Sequence, residues 1–215
     1  NFNITDNSRI LASIDTINKL ISDGSKVILM SHLGRPKGFD EKFSLKHIVN
    51  HLSEILNIQV GFLEDCIGEK TENFVNRMKN GDVVILENLR FYPQEKGGDL
   101  DFAKKLSELA DVYVNDAFGT SHRAHASTSV VAKFFPNDKY FGLLLQNEID
   151  SLEKVLSEPK KPFTAIIGGS KISGKIDVIT SLLKKVDNLI IGGGMTYTFA
   201  KALGGDIGNS LVENN

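Results

Sequence analysis

Cysteine is nearly absent: Cys66 is the one thiol in 215 residues, so neither an internal disulfide nor a cysteine zinc cluster can form. Cys66 itself reads as a small core hydrophobe. No apolar run reaches the roughly 18 residues that cross a bilayer, and the opening stretch from Asn1 to Ser8 lacks the basic-then-apolar start of a secretory signal. A cytoplasmic protein with no membrane partner is expected. A formal net charge of −2 lacks the basic excess of a protein that tracks nucleic acid. Arginine is scarce as well. Five of the 25 lysines and arginines are arginine, at positions 9, 35, 77, 90 and 123. Lysine suffices to solvate a surface, whereas planar bidentate recognition of phosphate or carboxylate favours arginine, so the placement of those five is informative.

What is present has the composition of an ordinary globular chain, 41% hydrophobic and 24% charged. Short β-branched runs alternate with longer amphipathic stretches, the rhythm of βαβ units. Strands are predicted over 26–30, 58–62, 82–86, 111–115, 164–167 and 188–191. Most are near-continuous apolar runs, which suits parallel strands buried on both faces. Helices are predicted over 8–22, 44–56, 69–79, 99–109, 175–185 and 195–203. In the first, Ile10, Ile14, Ile17 and Ile21 recur at helical spacing and Gly24 follows as a stop. A further helical pattern (Ile149, Leu152, Val155, Leu156) runs into Glu158-Pro159-Lys160-Lys161-Pro162, which does not continue a helix. The expected organisation is one α/β domain over 1–142, a connecting helix and hinge over 143–162, and the opening βαβ part of a second domain over 163–215.

In open α/β sheets ligands bind beyond the carboxyl ends of the strands, so the residues that follow each predicted strand carry the functional information. After the first comes Ser31-His32-Leu33-Gly34-Arg35-Pro36; after the third, Glu87-Asn88-Leu89-Arg90-Phe91; after the fourth, Asp116 through His125, including His122-Arg123-Ala124-His125. Arg35, Arg90 and Arg123 thus fall on strand-end loops together with three of the five histidines. A focused cationic patch of this kind suits a small polyanion. Each residue alone admits a plainer reading. Arg35 can be an exposed loop charge, Arg90 can pair with Glu87 or Glu95, and the histidines can be satisfied by backbone carbonyls. His47 and His51, four apart in a helix, read as surface residues rather than metal ligands, and Arg77 reads as solvated.

The second domain opens with Ala165-Ile166-Ile167-Gly168-Gly169-Ser170-Lys171-Ile172-Ser173-Gly174-Lys175-Ile176. A strand, a glycine-rich turn and a helix start make a phosphate cradle, because free backbone N–H groups point at the anion. The string follows the P-loop pattern until Ile176 replaces the Ser or Thr that would hold magnesium, which argues against a true P-loop. Gly192-Gly193-Gly194-Met195 ends the next strand without GxGxxG spacing, so dinucleotide binding is not expected. Tight packing of helix on strand is the alternative reading of both turns.

Ser-His-Leu-Gly-Arg-Pro, Glu-Asn-Leu-Arg-Phe, Asp-Ala-Phe-Gly-Thr followed by His-Arg-Ala-His, Gly-Gly-Ser-Lys, and Gly-Gly-Gly-Met-Thr-Tyr-Thr-Phe occur in that order over the whole chain. In order and spacing they resemble the phosphoglycerate kinases. The resemblance implies two Rossmann-like parallel-sheet domains joined by a helix and closing about a hinge, the second only partly present. It implies a monomer whose substrates are 3-phosphoglycerate or 1,3-bisphosphoglycerate and ADP or ATP with Mg2+. By resemblance, His32, Leu33, Gly34, Arg35, Arg90 and Arg123 bind the phosphoglycerate and Arg9 reaches the transferring group. Lys171 stabilises that group from the nucleotide side, while Gly169, Ser170, Lys175, Gly193 and Gly194 contact the nucleotide. A carboxylate oxygen is donor or acceptor, so no general base is required. No metal-ligating residue is assigned.

The departures are equally definite. Asn1-Phe2-Asn3 runs straight into Ile4-Thr5-Asp6, so it is expected to be the end of a loop, with the family's Asp-Phe-Asn motif and its strand missing upstream. Gly174 stands where many relatives carry an acidic or hydroxyl residue. The family's adenine pocket, ribose-binding glutamate and Gly-Gly-Asp loop would lie beyond Asn215. Another carboxylate kinase and a non-catalytic fragment are the competing expectations.

Overall fold

The apolar run at 83–86 forms the strand around which the first half of the chain is built. In the computed structural model, which describes residues 2–157 and 159–214, β1 (Val27–Leu29) and β2 (Val60–Leu63) both pair in parallel with β3 (Val83–Leu86), giving the order β1-β3-β2. Val27 and Val60 both align with Val83. All four β3 residues are buried. Successive side chains point to opposite faces, so Val83 and Ile85 enter one core and Val84 and Leu86 another.

Two helices close the first face. α1 (Ser8–Ser22) contributes Ile17, with Ile10, Ile14 and Ile21 half-buried beside it, and α2 (Val49–Leu56) contributes Leu52 and Leu56. The expected helix 44–56 is a 3-10 turn, Leu45–Ile48, leading into α2. On the opposite face α3 (Glu69–Val75) supplies Val75, and beyond the five-residue α4 (Pro93–Gly97), α5 (Leu100–Ser107) supplies Phe102, Ala103 and Leu106. Fully burying each of the Val, Ile, Leu and Phe side chains among these is worth about 1.5–3 kcal/mol, so the sheet and the loops leaving it are firmly based. Cys66 lies in this second core and donates its thiol to the Glu87 carbonyl at 2.9 Å.

β4 (Tyr113–Asn115) pairs in parallel with β5 (Lys139–Phe141), a strand that the sequence pattern does not reveal. Between them lie α6 (Phe118–Ser121), a π-helical turn (Ala126–Val130) and a 3-10 turn (Val131–Phe134). α7 (Leu143–Ser157) follows, starting earlier than its apolar pattern suggests. The chain divides into two compact units, Asn1–Ile149 and Asp150–Asn215.

In the second unit β6 (Thr164–Gly168) and β7 (Asn188–Gly192) pair in parallel, followed by α8 (Ile176–Leu183) and α9 (Met195–Ala202) respectively. Burial on both faces was the expectation for these strands, and here it fails. Their residues alternate, with Ile166 74% and Ile190 50% exposed, while Ile179 and Met195 are buried. Among the described residues no helix is long and apolar enough to cross a membrane. Asn1, at the head of the expected loop end, and Glu158, in the predicted breaker, lie outside the described residues, as does Asn215.

Candidate functional site

Two buried polar side chains at the end of β3 organise the first unit's loops. Glu87 accepts hydrogen bonds from the Ser44 hydroxyl at 2.6 Å, the Leu45 N–H at 2.8 Å and the Asn88 N–H at 2.7 Å. Asn88 donates its amide to the carbonyls of Leu33 and Phe43, each at 2.8 Å, and accepts from the Arg90 N–H at 3.0 Å. The loop after β1, the 3-10 turn at 45–48 and the loop after β3 are thereby one hydrogen-bonded body. Gly34 is needed there: its φ is +63°, and a Cβ would strike the Phe43 ring at 2.4 Å.

Arg90 donates through Nη1 to the Gly34 carbonyl at 2.6 Å, and its buried Nε has no partner among the described residues. It does not pair with Glu87 or Glu95, the alternative left open by the sequence. Glu87 is engaged as above, and Glu95, 2% exposed, accepts from the Ser127 N–H at 3.0 Å and the Ser127 hydroxyl at 2.7 Å. An orphan guanidinium nitrogen in a buried position is costly unless a ligand completes it.

The remaining cations converge on the same place. Burial, then Arg90, His125, Arg123 and Arg9, push the His32 imidazole down to about 4. Burial, then Arg123 and Arg35, draw the Arg90 guanidinium below its usual value, with Glu95 opposing. Thus Arg9, His32, Arg35, Arg90 and Arg123 lie within one electrostatic neighbourhood, and among the described residues none of the four arginines is in an ion pair. Arg77 is elsewhere, in the turn after α3, its Nε turned back to the Asn73 carbonyl of that helix. Like charges so gathered repel one another and attract a polyanion strongly.

The Arg123 loop is fixed by Thr128, whose hydroxyl donates to the Arg123 carbonyl at 2.9 Å. The Arg123 Nε reaches His122 Nε2 at 3.4 Å. His125 is buried, with Nδ1 3.7 Å from Glu95 Oε1. Burial pulls its imidazole below the usual value, Glu95 opposing and Arg90, Arg123 and Lys96 reinforcing. Sequence reasoning missed the bracing roles of Glu87, Asn88 and Glu95. Their signal was weak: Glu87 and Asn88 are ordinary polar residues in a loop and Glu95 one in the short α4, and only tertiary burial marks them. His47 and His51 lie outside this cluster, His47 Nε2 2.7 Å from the Glu41 carbonyl and His51 Nε2 3.1 Å from Asn7 Nδ2.

In the second unit the two glycine turns touch through their backbones. Met195 N–H donates to the Gly169 carbonyl at 2.9 Å. Gly193 has a φ of +73°, and a Cβ there would meet Gly169 O at 2.9 Å. A Cβ on Gly194 would approach the Ser170 Cα at 3.2 Å, and one on Gly169 would meet Lys175 Cε at 2.9 Å. Gly169, Ser170, Lys175, Gly193 and Gly194 are therefore adjacent, with the Lys175 side chain lying over Gly169 and Lys171 exposed on the same turn. The cradle differs from expectation in one respect. The N–H groups of Ile172 and Ser173 are not free, because both donate to the Glu213 carboxylate.

Charge held this way beyond the carboxyl ends of parallel strands is the arrangement of an α/β protein with a cationic strand-end site. The family model for phosphoglycerate kinase matches residues 1–215, and the chain belongs to that family. It is 57% identical over 212 residues to the cytosolic phosphoglycerate kinase of Triticum aestivum, covering 99% of this chain and 53% of that protein. It is 49% identical to the phosphoglycerate kinase of Porphyromonas gingivalis, covering 100% of this chain and 57% of the relative. A chloroplastic enzyme of Arabidopsis thaliana is 56% identical, covering 100% of this chain and 45% of the relative. Among solved structures, the phosphoglycerate kinase of Coxiella burnetii superposes with a TM-score of 0.82 at 40% identity, covering 100% of this chain and 54% of that one. That of Pyrococcus horikoshii gives 0.80 at 31% identity, covering 96% and 52%. The chain spans about half the length of these relatives.

Proposed function

We propose that this chain carries the phosphoglycerate site and the opening of the nucleotide site of a glycolytic kinase, which moves a phosphoryl group between 1,3-bisphosphoglycerate and ADP to give 3-phosphoglycerate and ATP. The observation that carries the reading is the set of arginines around His32 and Arg90 that form no ion pair among the described residues, a field suited to more than one anionic group. In this reading residues 1–142 bind phosphoglycerate, 143–162 connect, and 163–215 begin the nucleotide-binding part. The proposed location is the cytoplasm and the proposed state a monomer.

His32, Arg35, Arg90 and Arg123 hold the non-reacting phosphate and the glycerate end, with the backbone at Leu33 and Gly34 shaping the loop. Arg9 and Lys171 offset charge on the transferring phosphoryl, each contributing about 2.7–4 kcal/mol if it acts as a preorganised donor. Because the attacking or leaving oxygen belongs to a carboxylate, the work is positioning and charge neutralisation rather than proton removal.

The nucleotide's polyphosphate fits the exposed cation of Lys171, the Lys175 ammonium and the close backbone of Gly169, Ser170, Gly193 and Gly194. Magnesium bound with the nucleotide would offset polyphosphate charge. The residues here that fit the complex are those cations and backbone groups, and they meet the phosphates rather than the ion.

The test is a coupled spectrophotometric screen of the protein produced from its complete gene, with ATP and a panel of carboxylates. Turnover with 3-phosphoglycerate and none with acetate is expected. Phosphorylation of acetate but not of 3-phosphoglycerate would overturn the reading, and specific binding of neither 3-phosphoglycerate nor ADP would identify a non-catalytic module.

A further inference from the structure

The turn after β6 is rich in glycine, with Gly168, Gly169 and Gly174 in seven residues, and such a segment has little stiffness of its own. Its order comes from α9 and the segment behind it. At one end Met195, the first residue of α9, donates its N–H to the Gly169 carbonyl at 2.9 Å. At the other, Glu213 reaches back across 40 residues. Its Oε2 accepts from the N–H groups of Ile172, at 2.5 Å, and Ser173, at 3.0 Å, and its Oε1 accepts from the Ser173 hydroxyl at 2.7 Å. Glu213 is itself anchored, because its own N–H donates to Thr198 Oγ1 on α9 at 3.2 Å.

Lys171 stands between these two grips. Its backbone is clamped on both sides, while its side chain is exposed, makes no hydrogen bond among the described residues and lies close enough for its charge to act on the Glu213 carboxylate. This is the arrangement a preorganised cation requires: fixed at the root, with donors at the tip that no hydrogen bond takes up among the described residues. The bonds do not form a helix cap, since α8 begins only at Ile176 and an N-cap side chain would address N–H groups beyond that residue. With Ile172 and Ser173 already donating to Glu213, the N–H groups left for a polyphosphate are those nearer Gly169 and the facing Gly193 turn.

We propose that Glu213 is a positioning residue for phosphoryl transfer, setting through the Ile172 and Ser173 N–H groups where the Lys171 ammonium stands. The proposal rests on the assignment of Lys171 to the transferring group. Misplacing a catalytic group by about 1 Å can cost on the order of 10²-fold in rate, so the brace should be visible in kcat.

The experiment is steady-state kinetics on the protein produced from its complete gene, with chemical denaturation alongside. Glu213→Ala should lower kcat about 10- to 100-fold and leave KM for 3-phosphoglycerate unchanged. Glu213→Gln, which keeps an acceptor for the two N–H groups, should recover most of the loss, and Glu213→Asp, one methylene too short, should not. A role confined to stability would instead shift the denaturation midpoint and spare the kcat of folded molecules. That result, or kcat within about twofold of wild type in Glu213→Ala, would overturn the proposal. If Glu213→Ala does not fold, Glu213→Asp decides, and an unchanged kcat there contradicts the brace. Lys171→Ala in the same assay separates the two levels: full activity in that variant would remove the Lys171 assignment itself, whatever Glu213 does.

Discussion

The Arg90 guanidinium is bonded through Nη1 to the carbonyl of Gly34 at 2.6 Å, so one cation both belongs to the anion-attracting cluster and ties the loop after β3 to the loop after β1. A lysine supplies the charge but not a planar fork that can hold a carbonyl and a phosphate together. Arg90→Lys is therefore expected to raise KM for 3-phosphoglycerate about tenfold or more, the worth of one hydrogen bond to a charged group. Its kcat should change far less, and steady-state kinetics will check the split.

His32 offers a test by titration. Its imidazole titrates near 4 in the free protein because it is buried and surrounded by Arg90, His125, Arg123 and Arg9. A bound phosphate reverses the local charge, and an opposite charge favours the protonated form. The His32 pKa should therefore rise by about one unit or more when 3-phosphoglycerate binds, as read by NMR of the ring. A titration unmoved by ligand would place the phosphate elsewhere. In the free protein the native state binds fewer protons at His32 than the unfolded chain between about 4 and its usual 6.5. Stability should accordingly fall as pH drops through that window, and His32→Asn should flatten the slope.

Glu87 is a stability determinant. Its carboxylate satisfies the Ser44 hydroxyl and the N–H groups of Leu45 and Asn88 inside the protein. Glu87→Ala strands all three, and at about 1.5–3 kcal/mol per bond to a charged group the loss should be about 3 kcal/mol or more. Urea denaturation measures it. A change below about 0.5 kcal/mol, ordinary for a surface substitution, would contradict the bracing role.

Much of the fold was legible because local signals and tertiary packing agree. Ile10, Ile14, Ile17 and Ile21 place one face of α1 on the sheet, and the helix runs over Ser8–Ser22 as expected. The strand-end loops bearing His32, Arg90 and Arg123 were legible from the βαβ rhythm alone. β5 was not: Lys139, Tyr140 and Phe141 are all exposed, and the strand exists through its pairing with β4. α4 is too short for periodicity, although Pro93 at its start and Gly98 in the left-handed region after it are helix punctuation. Glu87, Glu95 and Glu213 escaped because a carboxylate in a sequence reads as solvated, and nothing local reveals a donor 32 to 43 residues away.

Arg9 lies exposed in the first turn of α1, a mildly unfavourable place for a cation, yet it contributes to the field at His32. If it meets the transferring phosphoryl it acts mainly in the transition state, whereas Arg123, on the non-reacting phosphate, acts in ground state and transition state alike. The most direct measurement is a single steady-state comparison of wild type, Arg9→Ala and Arg123→Ala in the protein produced from its complete gene, with 3-phosphoglycerate varied at saturating ATP. Arg9→Ala is predicted to lower kcat by roughly 10²- to 10³-fold, and Arg123→Ala to raise KM with kcat largely retained. Near-normal turnover in Arg9→Ala together with an unchanged KM in Arg123→Ala would contradict the account.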